Sequence, residues 1–116
     1  MSANYDLLFL LLAGFALADF ALQGDAMAKG KNRNRKPEYV PDGQKLMPCW
    51  FFWLGAHGLI HGGVIYMITG SLFLGVFETI AHFIIDFVKC ENWTNPFQDQ
   101  LLHFVCRMMY WIYMIV

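Results

Sequence analysis

The sequence predicts an all-α fold: a polytopic membrane protein built as a bundle of four transmembrane helices. Three observations carry this expectation. Of 116 residues, 58% are hydrophobic and 15% charged, against about 45–50% and about 25% in ordinary soluble domains. The apolar residues fall into four runs, each close to the ~20 residues that cross a bilayer once its flanks are counted. Five of the eight Lys and Arg are gathered between Lys29 and Lys36, outside those runs. Such a composition excludes a disordered chain and argues against a water-soluble globular domain. At this length the chain is one membrane domain, residues 1–116.

The first run, Leu7–Leu22, has Asp19 as its single charge and gives a span of about 5–23. Trp50–Ile68 has no charge and gives a second span, 49–68. Leu72–Val88 contains Glu78 and Asp86 and gives a third, 72–89. Leu101–Val116 contains Arg107 and gives a fourth, 99–116. Lipid offers no partners to backbone polar groups, so each span is expected to be a helix. Between the first two lies a basic loop, 24–48, rich in Gly, Pro, Asn, Lys and Arg and read as solvated. Thr69-Gly70-Ser71 is a tight turn, which makes the second and third spans an antiparallel hairpin. Cys90–Gln98 contains Asn92, Asn95 and Pro96 and reads as a short loop, with Asp99 as a helix-start residue.

Orientation follows from the basic residues. Lys29, Lys31, Arg33, Arg35, Lys36 and Lys45 lie in the first loop and Lys89 beside the third. The cytoplasm is therefore expected on that side, with both termini outside. The first loop should also contact anionic lipid headgroups. Tyr110, Trp111 and Tyr113 fall where an outer aromatic belt is expected. Leu7–Leu17 followed by Ala16-Leu17-Ala18 imitates a secretory signal with its cleavage site, but the positive start is missing and the basic run comes afterwards. Retention as a span is the expectation. Cys49, Cys90 and Cys106 are odd in number and have no paired spacing, so neither a disulfide framework nor a zinc ribbon follows. Gly58 and Gly62, like Gly14 and Ala18, are small-residue pairs that allow close helix contact, within one chain or across a homo-oligomer. A net charge of −1 and a basic loop without interleaved aromatics give no support for nucleic-acid binding.

The polar residues inside the spans are the informative ones. His57 and His61 are four apart. Glu78, His82 and Asp86 repeat that spacing, and so do Asp99, His103 and Arg107. Residues four apart share a helix face, so three helices each present a polar stripe, and Asp19 joins from the first. With a rise of ~1.5 Å per residue, His57 lies roughly 10 Å inside a helix that enters near Trp50. All these groups can meet in the cytoplasmic third of a bundle, Glu78 deepest. Asp19, Glu78 and Asp86 as bare charges at full depth would cost roughly 7–10 kcal/mol together. Compensation is needed from a metal, from mutual pairing such as Arg107 with Glu78, or from a water-filled path. Imidazole and carboxylate suit zinc, iron or manganese, and helix bundles house one or two such ions.

These residues resemble a family of small bacterial and phage inner-membrane proteins known as domain of unknown function 3307. The matching residues are Ala18-Asp19-Phe20, Leu22-Gln23, Met27-Ala28 and Lys31, then His57 and His61, then His82, Ile85-Asp86 and Lys89, then Asp99-Gln100 and His103. They run in order along nearly the whole chain. One position departs: the family pattern often carries a His four residues before the first-span Asp, and here Phe15 stands there. The resemblance implies an inner-membrane location and brings no established activity.

The leading expectation is therefore a metal-dependent membrane protein acting as a hydrolase. His57, His61, His82, Asp86, Asp99 and His103 would be ligands or their supports. Asp19 or Glu78 would be the general base, and Arg107 or Lys31 would hold an anionic headgroup. Two alternatives stand beside it: a non-enzymatic phage or bacterial membrane factor, holin-like or an exclusion protein, and a metal or proton carrier, which at this size would need oligomerisation.

Overall fold

The first apolar run is helical throughout, as α1 (Ala3–Ala16) continuing into one π-helical turn (Leu17–Ala21). A computed structural model describes residues 3–35, 42–43 and 49–116. Lys36 and Lys45 of the predicted basic loop lie outside the described residues. Leu11, Gly14 and Ala18 form the buried face of the first helix at ordinary helical spacing. Asp19, eight residues beyond Leu11, joins that face within a widened turn, in which Leu22 N donates to Leu17 O, five residues back, at 2.9 Å. One residue is thereby added to the turn, which rotates the following side chains.

The loop expected from 24 to 48 begins with a short helix, α2 (Asp25–Gly30). Asp25 in its first turn and Lys29 in its last both favour the helix dipole and pair at 3.0 Å. Gly30 lies flat on Trp53, whose ring carbon a Cβ there would meet at 2.5 Å. This close approach fixes where the next residue, Lys31, enters the molecule.

The second and third runs are α3 (Trp50–Thr69) and α4 (Leu72–Cys90), joined by the predicted tight turn. Gly70 ends α3 with φ +70°, a left-handed cap suited to glycine. Ser71 caps α4 by accepting from Leu74 N at 3.2 Å. The fourth run is α5 (Pro96–Ile115), which starts earlier than expected. Asn95, not Asp99, is its N-cap: Asn95 and Gln98 form a reciprocal capping box, with Pro96 at the first position. Asp99 thereby lies within the first turn of the helix, on its inner face. Arg33 donates to Glu91, and Asn34 Nδ2 donates to Cys90 O at 3.0 Å, tying the end of α2 to the end of α4. That hydrogen bond from Arg33 holds the Glu91 carboxyl below its usual range.

α3 and α4 are in the closest contact. Gly58 and Gly62 of α3 face α4, and a Cβ on Gly62 would collide with Thr79 Oγ1 and reach the Gly75 carbonyl at 2.5 Å. The small-residue pair therefore packs within the chain. Gly62→Ala is expected to destabilise the folded protein by about 1–3 kcal/mol through overpacking, seen as a lower melting temperature in detergent. Gly63→Ala, which meets open space, should leave stability unchanged or slightly raised.

The distribution of polarity is inverted relative to a water-soluble protein. Among the described residues ten polar or charged side chains are buried: Asp19, Lys31, Glu78, Asp86, Asp99, Arg107 and all four histidines. Buried apolar side chains are fewer: Leu11, Ala18, Leu54, Ile65, Leu74, Cys90 and Tyr110. The outside of every long helix is apolar: Phe9 on α1, Leu59 and Met67 on α3, Ile80 and Ile84 on α4, Leu101 and Ile112 on α5 are all exposed. By length and composition together, two segments among the described residues, Ala3–Ala21 and Trp50–Thr69, qualify as able to cross a membrane. Sequence expectation named four. α4 and α5 have the length, at 19 and 20 residues, but their polar stripes lower the average.

Candidate metal centre

Helical spacing brings the polar stripes to one level. On α3, His57 and His61 point inward, each 0% exposed. From α4 come Glu78, His82 and Asp86, and from α5 Asp99, His103 and Arg107, all at 1% or less. Asp19, from the π turn after α1, joins them at 7% exposure.

Two halves can be distinguished, joined by Asp86, whose Oδ2 lies 3.4 Å from His57 Nε2 and 3.6 Å from His82 Nε2. In the first, Asp19 Oδ1 lies 3.2 Å from His57 Nε2, 3.3 Å from His61 Nε2 and 3.8 Å from His82 Nε2. Its second oxygen accepts from Gln100 Nε2 at 3.1 Å. These four residues offer one ligand atom each, all within 4.8 Å of one another. Among the described residues, no Lys or Arg lies within 4.0 Å of Asp19. Nε2 of His61 and Nε2 of His82 are buried without a hydrogen-bond partner, a state that ordinarily costs about 1–3 kcal/mol per group.

The second half is acidic. Asp86 Oδ1 lies 3.2 Å from His103 Nε2, and Asp99 Oδ1 3.4 Å from the same nitrogen. Asp86 Oδ2 accepts from Lys31 Nζ at 2.7 Å, and Lys89 Nζ lies 3.4 Å from Asp99 Oδ2. Beneath both halves, away from the loop, Arg107 Nη1 donates to Glu78 Oε1 at 2.6 Å, and the Tyr110 hydroxyl donates to Glu78 Oε2.

Glu78 also orients a ligand. Its Oε1 lies 3.0 Å from His82 Nδ1. A proton there leaves Nε2 with a free lone pair, the arrangement in which a carboxylate supports a metal-binding imidazole. His61 differs. Arg107 Nη2 lies 3.0 Å from its Nδ1, and a guanidinium can only donate. A neutral ring binding a metal through Nε2 carries its proton on Nδ1, so this contact must yield when His61 serves as a ligand. Arg107 keeps Glu78 and the Phe15 ring, 4.8 Å from its Cζ. Phe15 lies 5.5 Å from both His61 and His103 and walls the cluster with an apolar ring.

Each residue expected at the site is therefore in the cluster: Asp19, His57, His61, Glu78, His82, Asp86, Asp99, His103, Arg107 and Lys31. Some surroundings differ from expectation. Glu78, named as a general base, is taken up by Arg107 and Tyr110. Lys31 and Arg107, named as headgroup contacts, point inward to carboxylates. Tyr110, assigned to an outer belt, is 2% exposed and binds Glu78. It lies three residues beyond Arg107, on the same face, and that spacing was the available signal. Gln23 and Gln100 were not named as site residues: Gln23 Oε1 accepts from Lys31 Nζ at 2.5 Å, and Gln100 holds Asp19.

A family model described as a protein of unknown function, DUF3307, matches residues 7–116. The chain belongs to this family. No curated protein and no solved structure gives a significant match. In this DUF3307 chain the matched region contains every residue of the cluster, from α1 to α5, together with Lys31.

Proposed function

We propose that this DUF3307 protein is a four-span protein of the bacterial inner membrane that binds a divalent transition metal between Asp19, His57, His61 and His82. In this reading the metal serves hydrolysis of a membrane-borne ester or phosphoester. The observation that carries the metal is the convergence of three imidazole Nε2 atoms on one carboxylate oxygen that has no cationic partner among the described residues. Four spans are supported by the inverted polarity: α4 and α5 turn their charges inward and present Phe, Ile, Leu and Met outward. So broad an apolar exterior is foreign to a protein in water.

A bound divalent ion supplies Lewis acidity toward an ester or phosphoryl oxygen. The chain's own contribution is to hold and orient. Gln100 fixes one oxygen of Asp19 so that the other faces the imidazoles, and Glu78 fixes the His82 tautomer. Release of phosphate from phosphatidic acid in mixed micelles tests the enzyme reading. Turnover that a chelator abolishes and zinc or manganese restores is expected. Absence of any chelator-sensitive turnover across ester and phosphoester lipids would sink it.

A second reading keeps the metal and drops the chemistry. All four histidines are 0% exposed and Phe15 covers two of them, which favours an ion that braces a non-enzymatic membrane factor. Under that reading metal content is unchanged, no lipid is turned over, and any toxicity on expression depends on the fold alone.

A further inference from the structure

The acidic half of the cluster supports a second inference, which rests on the metal reading above. Asp86, Asp99 and His103 offer one ligand atom each within 4.8 Å of one another. All three are buried, and Asp99 Oδ1 has no hydrogen-bond partner. By donor chemistry this triad suits a transition metal as well as the first set does. Two ammonium groups make the difference. Lys31 Nζ bridges Asp86 Oδ2 at 2.7 Å and Gln23 Oε1 at 2.5 Å, with the side chain 4% exposed. Lys89 Nζ lies 3.4 Å from Asp99 Oδ2 and 3.8 Å from Asp86 Oδ1.

We propose that Lys31 is a tethered cation occupying the second cation position of a two-cation centre, so that the protein holds one transition-metal ion rather than two. Formal charge supports this. Asp86 and Asp99 contribute two negative charges, and Lys31 and Lys89 contribute two positive ones, leaving nothing for a dication to neutralise. Without Lys31 the triad carries one net negative charge beside an imidazole. That is the charge Asp19 brings to the first half, where no Lys or Arg among the described residues pairs with it and Lys31 reaches the imidazoles only through Asp86 Oδ2, 3.4 Å from His57 Nε2 and 3.6 Å from His82 Nε2. The lysine is held by structure as well as by charge. It follows α2 directly, and α2 is seated on α3 through Gly30 and Trp53. A lone buried carboxylate pair at this depth would be costly, and the ammonium offsets that cost without taking a metal from the cell.

Elemental analysis after zinc loading and desalting tests this in detergent-purified wild type, Lys31→Met, Lys31→Arg and the double variant Lys31→Met, Asp99→Asn. The expected contents are about one, two, one and one equivalents, since each ion needs its own set of deprotonated ligands. A single equivalent in Lys31→Met overturns the proposal, and so do two in wild type. No zinc in wild type overturns the metal reading itself, a separate outcome. Helical circular dichroism and a monodisperse elution profile confirm folding. If Lys31→Met fails either criterion, Lys31→Gln, which keeps a hydrogen bond to Asp86 without the charge, makes the same comparison.

Discussion

Asp19→Asn is expected to weaken zinc binding by at least ~100-fold, at or beyond the ~10–100-fold usual for residues that merely support a ligand. The substitution is nearly isosteric. It keeps an oxygen for Gln100 and removes the negative charge on which three imidazoles converge. No Lys or Arg among the described residues stands within ion-pair distance to take up the change, so the effect should fall on the ion and spare the fold. Competition with a chromophoric chelator reads the affinity. Asp25→Asn is the control: its carboxylate is exposed and pairs with Lys29 on α2, and zinc affinity should not move. Equal affinity in wild type and Asp19→Asn would remove Asp19 from the site.

Arg107→Met is expected to produce the largest loss of stability. Arg107 and Glu78 are each 1% exposed, and their hydrogen bond joins α5 to α4 at 2.6 Å. Removing one partner of a buried pair leaves an uncompensated charge and typically costs about 3–5 kcal/mol. Tyr110 and His82 remain on Glu78 but bring no fixed positive charge. Thermal unfolding in detergent measures the loss. Adding Glu78→Gln to Arg107→Met should recover a large part of it, because the two sites share one interaction and their effects do not add. A double variant as unstable as the sum of the singles would show that the two residues act independently.

The helices and their polar faces were legible because the i, i+4 rule is local. Glu78-His82-Asp86 and Asp99-His103-Arg107 state in sequence which side of each helix is polar, and apolar surroundings require those sides to meet. The Gly70 turn was legible for the same reason, since one residue accounts for it. The rest depended on tertiary contacts. Asp19 was legible as a member of the cluster, but not the π turn in which it sits. Lys31 was legible as an anion-contacting cation, but not as the buried partner of Asp86. Only the seat of Gly30 on Trp53 and the pull of Asp86, 55 residues away, turn it inward. α2 is six residues long, too short for propensity to predict against a Gly- and Asn-rich background. Tyr110 lies in an aromatic cluster whose other members are partly or fully exposed, and burial of one ring among them depends on where Glu78 stands across the bundle. Asp99, read as a helix-start residue, does lie in the first turn of α5, but the helix begins earlier, at Pro96, because Asn95 and Gln98 form a capping box with proline behind the cap.

The proposed centre places Asp19, His57, His61 and His82 around one metal ion within a membrane-embedded bundle. Its most direct test is the metal content of the wild-type protein, extracted from the membrane fraction and purified in detergent without chelator. The account predicts close to one equivalent of zinc, iron or manganese per chain, retained through gel filtration. Protein that leaves the membrane metal-free, and takes up none of these ions when they are supplied, would contradict it. The cluster would then be a hydrogen-bonded polar core and nothing more.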